Sequence, residues 1–391
     1  MNKHLIIKAL SLLFITGCQA SLSLTPTLRA PSPPTPTSAP TAEASPTSWP
    51  ATPTVTRAAQ PEPPGPLSPS QLFLFTPRGI LRTELGCQTS AEECVHGTSN
   101  ISPSPWDNGY IDVSPDGSLV AIARVDTYPS GLQSSVRLID WRRALAWLVA
   151  PEGSNFPSWS PDGTSIAYVD YYRSRICLAS VDGPYRCLPQ EGVDRIGPPA
   201  WSPDSKHLAY SADGDLHIAD IQHGSTTVLT GDDGDPYWSP TGEFIAFSRY
   251  SPDGSLLKIL EFASCDLQTS QCQPPTAIAT NAYRPQWSPD GAHLAFRSYS
   301  APDTWQLTLI PTSCLLEPSS CHESLTQLGP SLEFAEDFAW SPDGQFIAFT
   351  DQGSIGYGIY MVDLNGHGPW PVSSIEDHLI PQLEWAILAG D

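Results

Sequence analysis

The sequence predicts an all-β protein built around a seven-bladed β-propeller, with a six-bladed propeller as the alternative. Three observations support this fold class. A short motif recurs six times, with tryptophan at the first position of five copies. An alternating apolar segment follows each copy, and strand-like segments lie at both ends of the repeats. A proline-rich segment precedes the repeats and is expected to be a disordered tether.

The repeated motif reads Trp-Ser-Pro-Asp-Gly or a close variant. Its copies are spaced by 37 to 53 residues, a length that fits one four-stranded blade. Serine, proline, aspartate and glycine in this order favour a type I turn. The apolar alternation after each turn, as in Phe244-Ile245-Ala246-Phe247, predicts a second strand. The six copies begin at Val113, Trp159, Trp201, Trp238, Trp287 and Trp340.

The two ends of the repeat region together predict one further blade. Residues 380–385 resemble the approach to a first strand, and Trp385 lies 45 residues after Trp340. Residues 72–75, 80–85 and 94–100 have the pattern of a second, third and fourth strand without a first. Blade closure by both termini would leave no free sheet edge in the ring. If the ends do not share a blade, the propeller has six.

Residues 1–17 have the features of a secretory signal peptide, with Lys3 and Lys8 before and beside an apolar run. The run is too short to span a bilayer. It ends in Ile15-Thr16-Gly17-Cys18, which resembles a bacterial lipobox, where cleavage precedes a cysteine that carries a diacylglyceryl group with palmitate-type chains. The resemblance implies an exported lipoprotein, anchored through Cys18 to a bacterial membrane on the extracytoplasmic side. An ordinary signal peptide or an uncleaved anchor is the alternative.

Residues 18–70 are expected to form the tether, and 71–391 the propeller. From 21 to 70 the chain is almost entirely Pro, Thr, Ser and Ala, with 14 prolines. Such a segment buries too few apolar side chains to fold and favours polyproline II. Fully extended, it spans up to ~150 Å.

The nine cysteines support export independently. Without Cys18, eight remain in close pairs, which suit disulfide-closed loops in an oxidising compartment. Zinc sites more often have two-residue spacings. The predicted disulfides are Cys87 with Cys94, Cys177 with Cys187, Cys265 with Cys272, and Cys314 with Cys321.

The formal net charge is -22. Nucleic acid and bare anionic membrane are therefore poor partners, because both bind cationic patches. The charge does not exclude a cationic partner, a divalent metal or a neutral ligand. The charge is also what an exported protein needs simply to remain soluble.

The repeated motif with its Ile-Ala-Phe or Leu-Ala-Tyr continuation resembles the WD-repeat-like propeller repeat of the TolB family, which prolyl-oligopeptidase-type enzymes share. The resemblance covers 71–391 and implies the fold, but little about function. The α/β domain that precedes the six-bladed propeller of TolB has no counterpart in the sequence. The resemblance therefore does not imply a role in the Tol envelope system.

The sequence carries no hydrolase signature. It has no Gly-x-Ser-x-Gly elbow, no His-Glu-x-x-His, and its histidines are scattered. We therefore predict that the protein is not an enzyme and has no resident cofactor, although a divalent cation is possible. The alternative is a metal-assisted lyase or hydrolase of polysaccharide at the channel mouth.

The loops that lead into the first strands should converge at one mouth of the central channel. They are rich in charged residues, which would place a binding rim there. The alternative is that connecting loops are polar because they face water. The candidate rim residues are Asp107, Asp194, Arg195, Asp233, Asp235, Arg284, Asp337, Asp377 and His378.

Together these features predict a cell-envelope lipoprotein whose propeller binds a protein or another ligand. The expected partner is an envelope or extracellular protein, a peptide or a glycan, with membrane contact through the lipid alone. A structural accessory subunit of an exported complex is a further alternative.

Overall fold

The computed structural model describes residues 70–387, with gaps at 77–78, 86–94, 101–109, 129–130, 144, 182, 190–192, 230, 232–233, 250–253, 268, 270, 302–303, 333–336, 354–355 and 375–381. The predicted signal peptide, Cys18, the tether and the pair Cys87 and Cys94 lie outside the described residues. All described residues belong to one compact unit.

The described strands form seven four-stranded antiparallel sheets, which we number in chain order. Sheet 1 is ordered β28 (Gln382–Ile387), β1 (Ser70–Thr76), β2 (Gly79–Leu85), β3 (Val95–Asn100). Sheet 2 contains β4 (Ile111–Val113), β5 (Leu119–Tyr128), β6 (Gly131–Asp140), β7 (Leu145–Ala150). Sheet 3 contains β8 (Ser154–Trp159), β9 (Ser165–Asp170), β10 (Arg175–Ser180), β11 (Tyr185–Cys187).

The remaining four sheets repeat this order of four consecutive strands. Sheet 4 contains β12 (Ala200–Trp201), β13 (His207–Ala212), β14 (Asp215–Asp220), β15 (Thr226–Leu229). Sheet 5 contains β16 (Pro236–Trp238), β17 (Phe244–Arg249), β18 (Leu256–Glu261), β19 (Thr276–Thr280). Sheet 6 contains β20 (Ala282–Trp287), β21 (His293–Ala301), β22 (Thr304–Pro311), β23 (Thr326–Leu332). Sheet 7 contains β24 (Phe338–Trp340), β25 (Phe346–Gly353), β26 (Gly356–Asp363), β27 (Trp370–Ser374).

The first strands of the sheets lie at the centre of the molecule. Strand β8 contacts β12, β12 contacts β16, β16 contacts β20, and β28 contacts both β24 and β4. This radial arrangement of antiparallel sheets is that of a β-propeller, and the predicted all-β propeller class is confirmed. The predicted pairing of the two ends is also present, with Leu72 opposite Trp385 and Phe75 opposite Gln382.

Every copy of the repeated motif closes the predicted turn with the same backbone hydrogen bond, and the five copies with aspartate add a serine-to-carboxylate bond. In sheet 2, the Gly117 N–H donates to the Ser114 carbonyl at 2.7 Å, and the Ser114 hydroxyl donates to Asp116 at 2.6 Å. Burial opposes ionisation of Asp116, but hydrogen bonds from Ser114 and Ser118 outweigh it and lower the pKa of its carboxyl. The motif is therefore a closed structural unit, and its serine is already engaged.

The motif tryptophans pack between neighbouring sheets, as predicted. All five are 6 to 8% exposed. The indole N–H of Trp201 donates to the carbonyl of Ser158 in the preceding sheet at 3.0 Å. Trp287 does the same with Tyr237 at 3.0 Å, and Trp340 with Gln286 at 3.2 Å, so these three rings tie neighbouring sheets together.

Three predicted disulfides are confirmed, and each lies between the third and fourth strands of its sheet. Cys177–Cys187 joins the paired strands β10 and β11, whereas Cys265–Cys272 and Cys314–Cys321 close loops. Short 3-10 helices lie within or directly beside these loops, at Phe262–Ser264, Thr312–Leu316 and Pro318–Ser324. Among the described residues, none lies in a helix long and apolar enough to cross a membrane.

Candidate functional site

One end of the channel is formed by the starts of the first strands, opposite the end that carries the motif turns. The residue three positions before each motif lies at or beside the start of a first strand, and we call this the ring position. Three candidate rim residues occupy it. The ring positions are Tyr110, Phe156, Pro198, Asp235, Arg284, Asp337 and Gln382.

Asp337 and Arg284 form an ion pair across sheets 6 and 7, with Nη1 and Oδ1 3.1 Å apart. The Asp337 side chain is 8% exposed, and that of Arg284 is 40% exposed. The second oxygen of Asp337 accepts the N–H of Leu383 in β28 at 3.0 Å. Burial raises the pKa of Asp337, and the Arg284 guanidinium opposes that rise. Asp337 therefore connects three sheets at the mouth, and both its oxygens are engaged.

Asp235 lies at the mouth because Gly234 lets its loop approach strand β17 closely. The φ of Gly234 is 138°, and a Cβ there would overlap the backbone carbonyl of Ser248. Burial raises the pKa of the Asp235 carboxyl, and the Arg284 guanidinium lowers it in part. The Asp235 charge also raises the pKa of both Tyr110 and Tyr171, which places all three groups in one electrostatic cluster.

Beside Asp235, three aromatic rings form a continuous surface that we call the aromatic wall, consisting of Tyr110, Phe156 and Tyr171. The rings of Tyr110 and Phe156 are 4.1 Å apart between centroids, and those of Phe156 and Tyr171 are 5.9 Å apart, edge to face. Tyr110 is 42% and Tyr171 44% exposed. Burial raises the pKa of Tyr171 to about 12, so its hydroxyl stays protonated and can donate a hydrogen bond. The wall thus offers aromatic faces and neutral hydroxyls to the channel mouth.

Two ring positions depart from regular strand geometry in the same way. Phe156 has φ 50° and Arg284 has φ 49°, values rare for residues with a side chain. The register of β8 against β9 shifts between Asn155 and Ser158, and that of β20 shifts between Tyr283 and Gln286. A bulge in each first strand therefore re-aims one side chain. Phe156 packs between the tyrosines, and Arg284 reaches the neighbouring sheet.

Asp112, two residues after Tyr110, is a further acidic group on a first strand. Its Oδ2 accepts the backbone N–H of Trp159 in sheet 3 at 2.5 Å. The side chain keeps some accessible surface, but protein encloses it on its other sides. Burial raises its pKa to about 7 against two backbone hydrogen bonds that lower it.

The other predicted rim residues fall into two groups. Asp194 and Arg195 are exposed, and their backbone N–H groups donate to the Asp213 carboxylate at 3.0 and 2.8 Å. The Ser174 hydroxyl of sheet 3 also donates to the Asp194 carbonyl at 3.3 Å. These contacts are with the hairpins of sheets 3 and 4, apart from the cluster of Asp235, Arg284 and Asp337. Residues Asp107, Asp233, Asp377 and His378 lie outside the described residues.

The sequence-based list did not include the aromatic wall or Asp112. A usable signal was present, because Tyr110 and Phe156 stand at the same distance before the motif as Asp235, Arg284 and Asp337. Tyr171 had no such signal. It follows the second strand β9, and only the packing of sheet 3 brings it to Phe156.

Within the described part of the chain, one group of three potential metal-ligating atoms lies close together, those of Asp170, Cys177 and Cys187. The two sulfurs form a disulfide, and Asp170 pairs with Arg173 and Arg175 at 3.3 and 3.2 Å. In the oxidised protein the two sulfurs and the Asp170 carboxylate are therefore engaged in structural contacts.

No family model matches the chain. A Bacteroides fragilis protein provisionally assigned as a 6-phosphogluconolactonase aligns with 83% of this chain and 100% of its own, at 14% identity and a TM-score of 0.54. TolB from Acinetobacter baumannii aligns over 81% and 83%, at 15% identity and 0.46. The hydrazine synthase of Kuenenia stuttgartiensis aligns over 65% and 76%, at 15% and 0.45. At these identities the likeness concerns the fold alone, and the chain is similar to other β-propellers.

Proposed function

We propose that this chain is an exported, lipid-anchored binding protein whose channel mouth recognises a protein partner. The observation that carries the proposal is the aromatic wall, because it places two exposed tyrosines beside a partly buried carboxylate at the point where the first strands converge. Exposed aromatic rings are typical of interaction surfaces, since they bury large areas at low entropic cost.

Two acidic groups of the mouth are held by contacts within the protein, which favours a binding role for them over catalysis. Asp337 is held by Arg284 and by a backbone N–H, and Asp112 by the backbone of Trp159. Groups fixed in this way shape a surface, whereas general acid–base chemistry needs a group free to exchange a proton with substrate. The rival proposals remain a metal-assisted polysaccharide enzyme and a structural accessory subunit, and a glycan or a peptide remains an alternative ligand.

The three disulfides indicate a non-cytoplasmic protein. Cys87 and Cys94 stand in the corresponding interval between β2 and β3, so a fourth bond fits the same scheme. We propose that a lipid on Cys18 and the proline-rich tether hold the propeller away from the membrane.

We further propose that sheet 1 is a full blade, so that the propeller has seven blades and not six. Support comes from the pairing of β1 with β28 and from the contacts of β28 with β24 and β4 on either side. A closed ring without a free edge would hold the mouth residues of sheets 6, 7 and 2 in fixed positions.

The proposed function is tested by purifying the protein with its partner from the cells that naturally make it. The double variant Tyr110→Ser/Tyr171→Ser removes the exposed rings of the wall, and we expect it to lose a co-purifying protein that the wild type retains. Tyr185→Ser is the matched control, because Tyr185 is equally exposed, at 49%, but lies on the outermost strand of sheet 3. If the double variant and the wild type retain the same proteins, the mouth is not the recognition surface.

A further inference from the structure

Asp235 and Asp337 are the acidic ring positions of the mouth. Arg284 and Arg297 both act electrostatically on Asp337, whereas Arg284 is the one described residue whose charge opposes the effect of burial on Asp235. Arg284 lies 3.1 Å from Asp337 and is thereby largely neutralised. Asp235 is left as the carboxylate nearest the aromatic wall.

Asp235 carries a carboxylate whose charge is opposed by burial and is offset by Arg284 only in part. Its carboxylate is largely enclosed by protein, and no hydrogen bond from another described residue reaches it. A carboxylate removed from water is stabilised by a positive charge placed against it. A ligand that supplies this charge gains the interaction without first breaking a hydrogen bond within the described residues.

The aromatic wall supplies the second half of such a site. Cations bind favourably over the faces of aromatic rings, and arginine does so most often in proteins. Tyr110 and Tyr171 expose 42% and 44% of their surface beside Asp235, and Phe156 fills the space between them. A long basic side chain can therefore lay its aliphatic stem and charged head along the wall.

The charge of the whole molecule acts in the same direction. A net charge of -22 attracts basic partners over distance and repels acidic ones. It contributes to the rate of encounter, and the mouth then provides the specific contact.

We propose that the partner presents a basic segment, and that one of its arginine or lysine side chains binds against Tyr110, Phe156 and Tyr171 with its charge beside Asp235. This inference rests on the proposed function and specifies the chemistry of the partner. A neutral glycan and an acidic peptide are the competing ligands.

The test uses the intact mature protein and three blocked nine-residue glycine–serine peptides, which carry one central arginine, citrulline or glutamate. Citrulline matches arginine in shape but is neutral. We expect NMR titration to show that the arginine peptide binds about tenfold more tightly than the citrulline peptide, and that the glutamate peptide does not bind. That ratio should fall to about one in Asp235→Asn, where a neutral amide replaces the carboxylate at the same size.

Glu261→Gln is the matched control, because it removes one exposed negative charge at the end of β18, near the motif turns. It should leave the arginine preference unchanged. Equal binding of the arginine and citrulline peptides, tighter binding of the glutamate peptide, or no binding of any peptide would overturn the inference. In each case co-purification that still depends on Tyr110 and Tyr171 would leave the proposed function standing.

Discussion

At the scale of single residues, Asp337 shows how one side chain serves both the fold and the mouth. One oxygen pairs with Arg284 of sheet 6, and the other accepts the Leu383 N–H of sheet 1. Residues of this kind are difficult to assign from sequence, because a charge in a loop before a strand usually means only that the loop faces water. Burial in the assembled ring gives Asp337 its role.

We expect Asp337→Ala to lower the free energy of unfolding by about 2 kcal/mol, somewhat less than a fully buried pair because Arg284 is 40% exposed. The change leaves Arg284 without its counter-charge and the Leu383 N–H without its acceptor. Chemical denaturation with the variant Glu261→Gln as control measures the effect. A loss no larger than that of the control would contradict the structural role of Asp337.

Asp112 predicts a pH dependence of stability. Its pKa is raised to about 7 in the folded protein, above the ordinary value of 3.8. The folded state therefore holds this proton more tightly, and the resulting stabilisation is complete below pH about 4 and lost as pH rises to about 7. Asp112→Asn should remove this decline and raise the free energy of unfolding by about 2–4 kcal/mol at pH 8, but hardly at pH 3. If the free energies of unfolding of the two proteins change in parallel between pH 3 and pH 8, the pKa of Asp112 is not raised in the folded protein.

At the scale of elements, the repeated turn and the strand after it were predictable because their signals are local. Ser160, Asp162 and Gly163 build the turn from their own side chains and backbone, and Ile166 to Val169 follow as a continuous apolar run that is wholly buried. The sequence predicted that charged residues would lie before the first strands, but it did not predict the bulges at Phe156 and Arg284. Those bulges depend on pairing with the second strand.

The 3-10 helices around Cys314 were not predicted, because their buried residues pack on another sheet.

The strand β28 should contribute strongly to stability, because it pairs with β1 along its whole length. Deletion of residues 376–391 would expose the edge of β1 and leave Asp337 without the Leu383 N–H. We expect the truncated protein to melt at least 10 °C lower or to aggregate, whereas deletion of 388–391 alone should have little effect. Calorimetry distinguishes these outcomes. Equal melting temperatures for both truncations would argue against a blade shared by the two ends.

At the scale of the whole molecule, we predict a lipid anchor on Cys18 and a tether before the propeller. Cys18→Ser should abolish lipidation and release the protein from the membrane fraction, since the apolar run of the signal peptide is removed or too short to hold it. Fractionation and intact mass spectrometry measure both effects. Suppose that the variant stays in the membrane and that its measured mass exceeds the mass of the unlipidated chain by as much as in the wild type. Another segment would then anchor the chain.

The central claim is that the partner binds at the channel mouth, and site-specific photo-crosslinking in living cells tests it most directly. A benzophenone side chain would replace Tyr171 in one protein and Val228 in another. Val228 is exposed at 39% but lies on β15, the outermost strand of sheet 4. We expect a discrete crosslinked product at position 171 and none at 228. A product at 228 without one at 171 would contradict the claim, because the partner would then bind at the outermost strands of the sheets and not at the channel mouth.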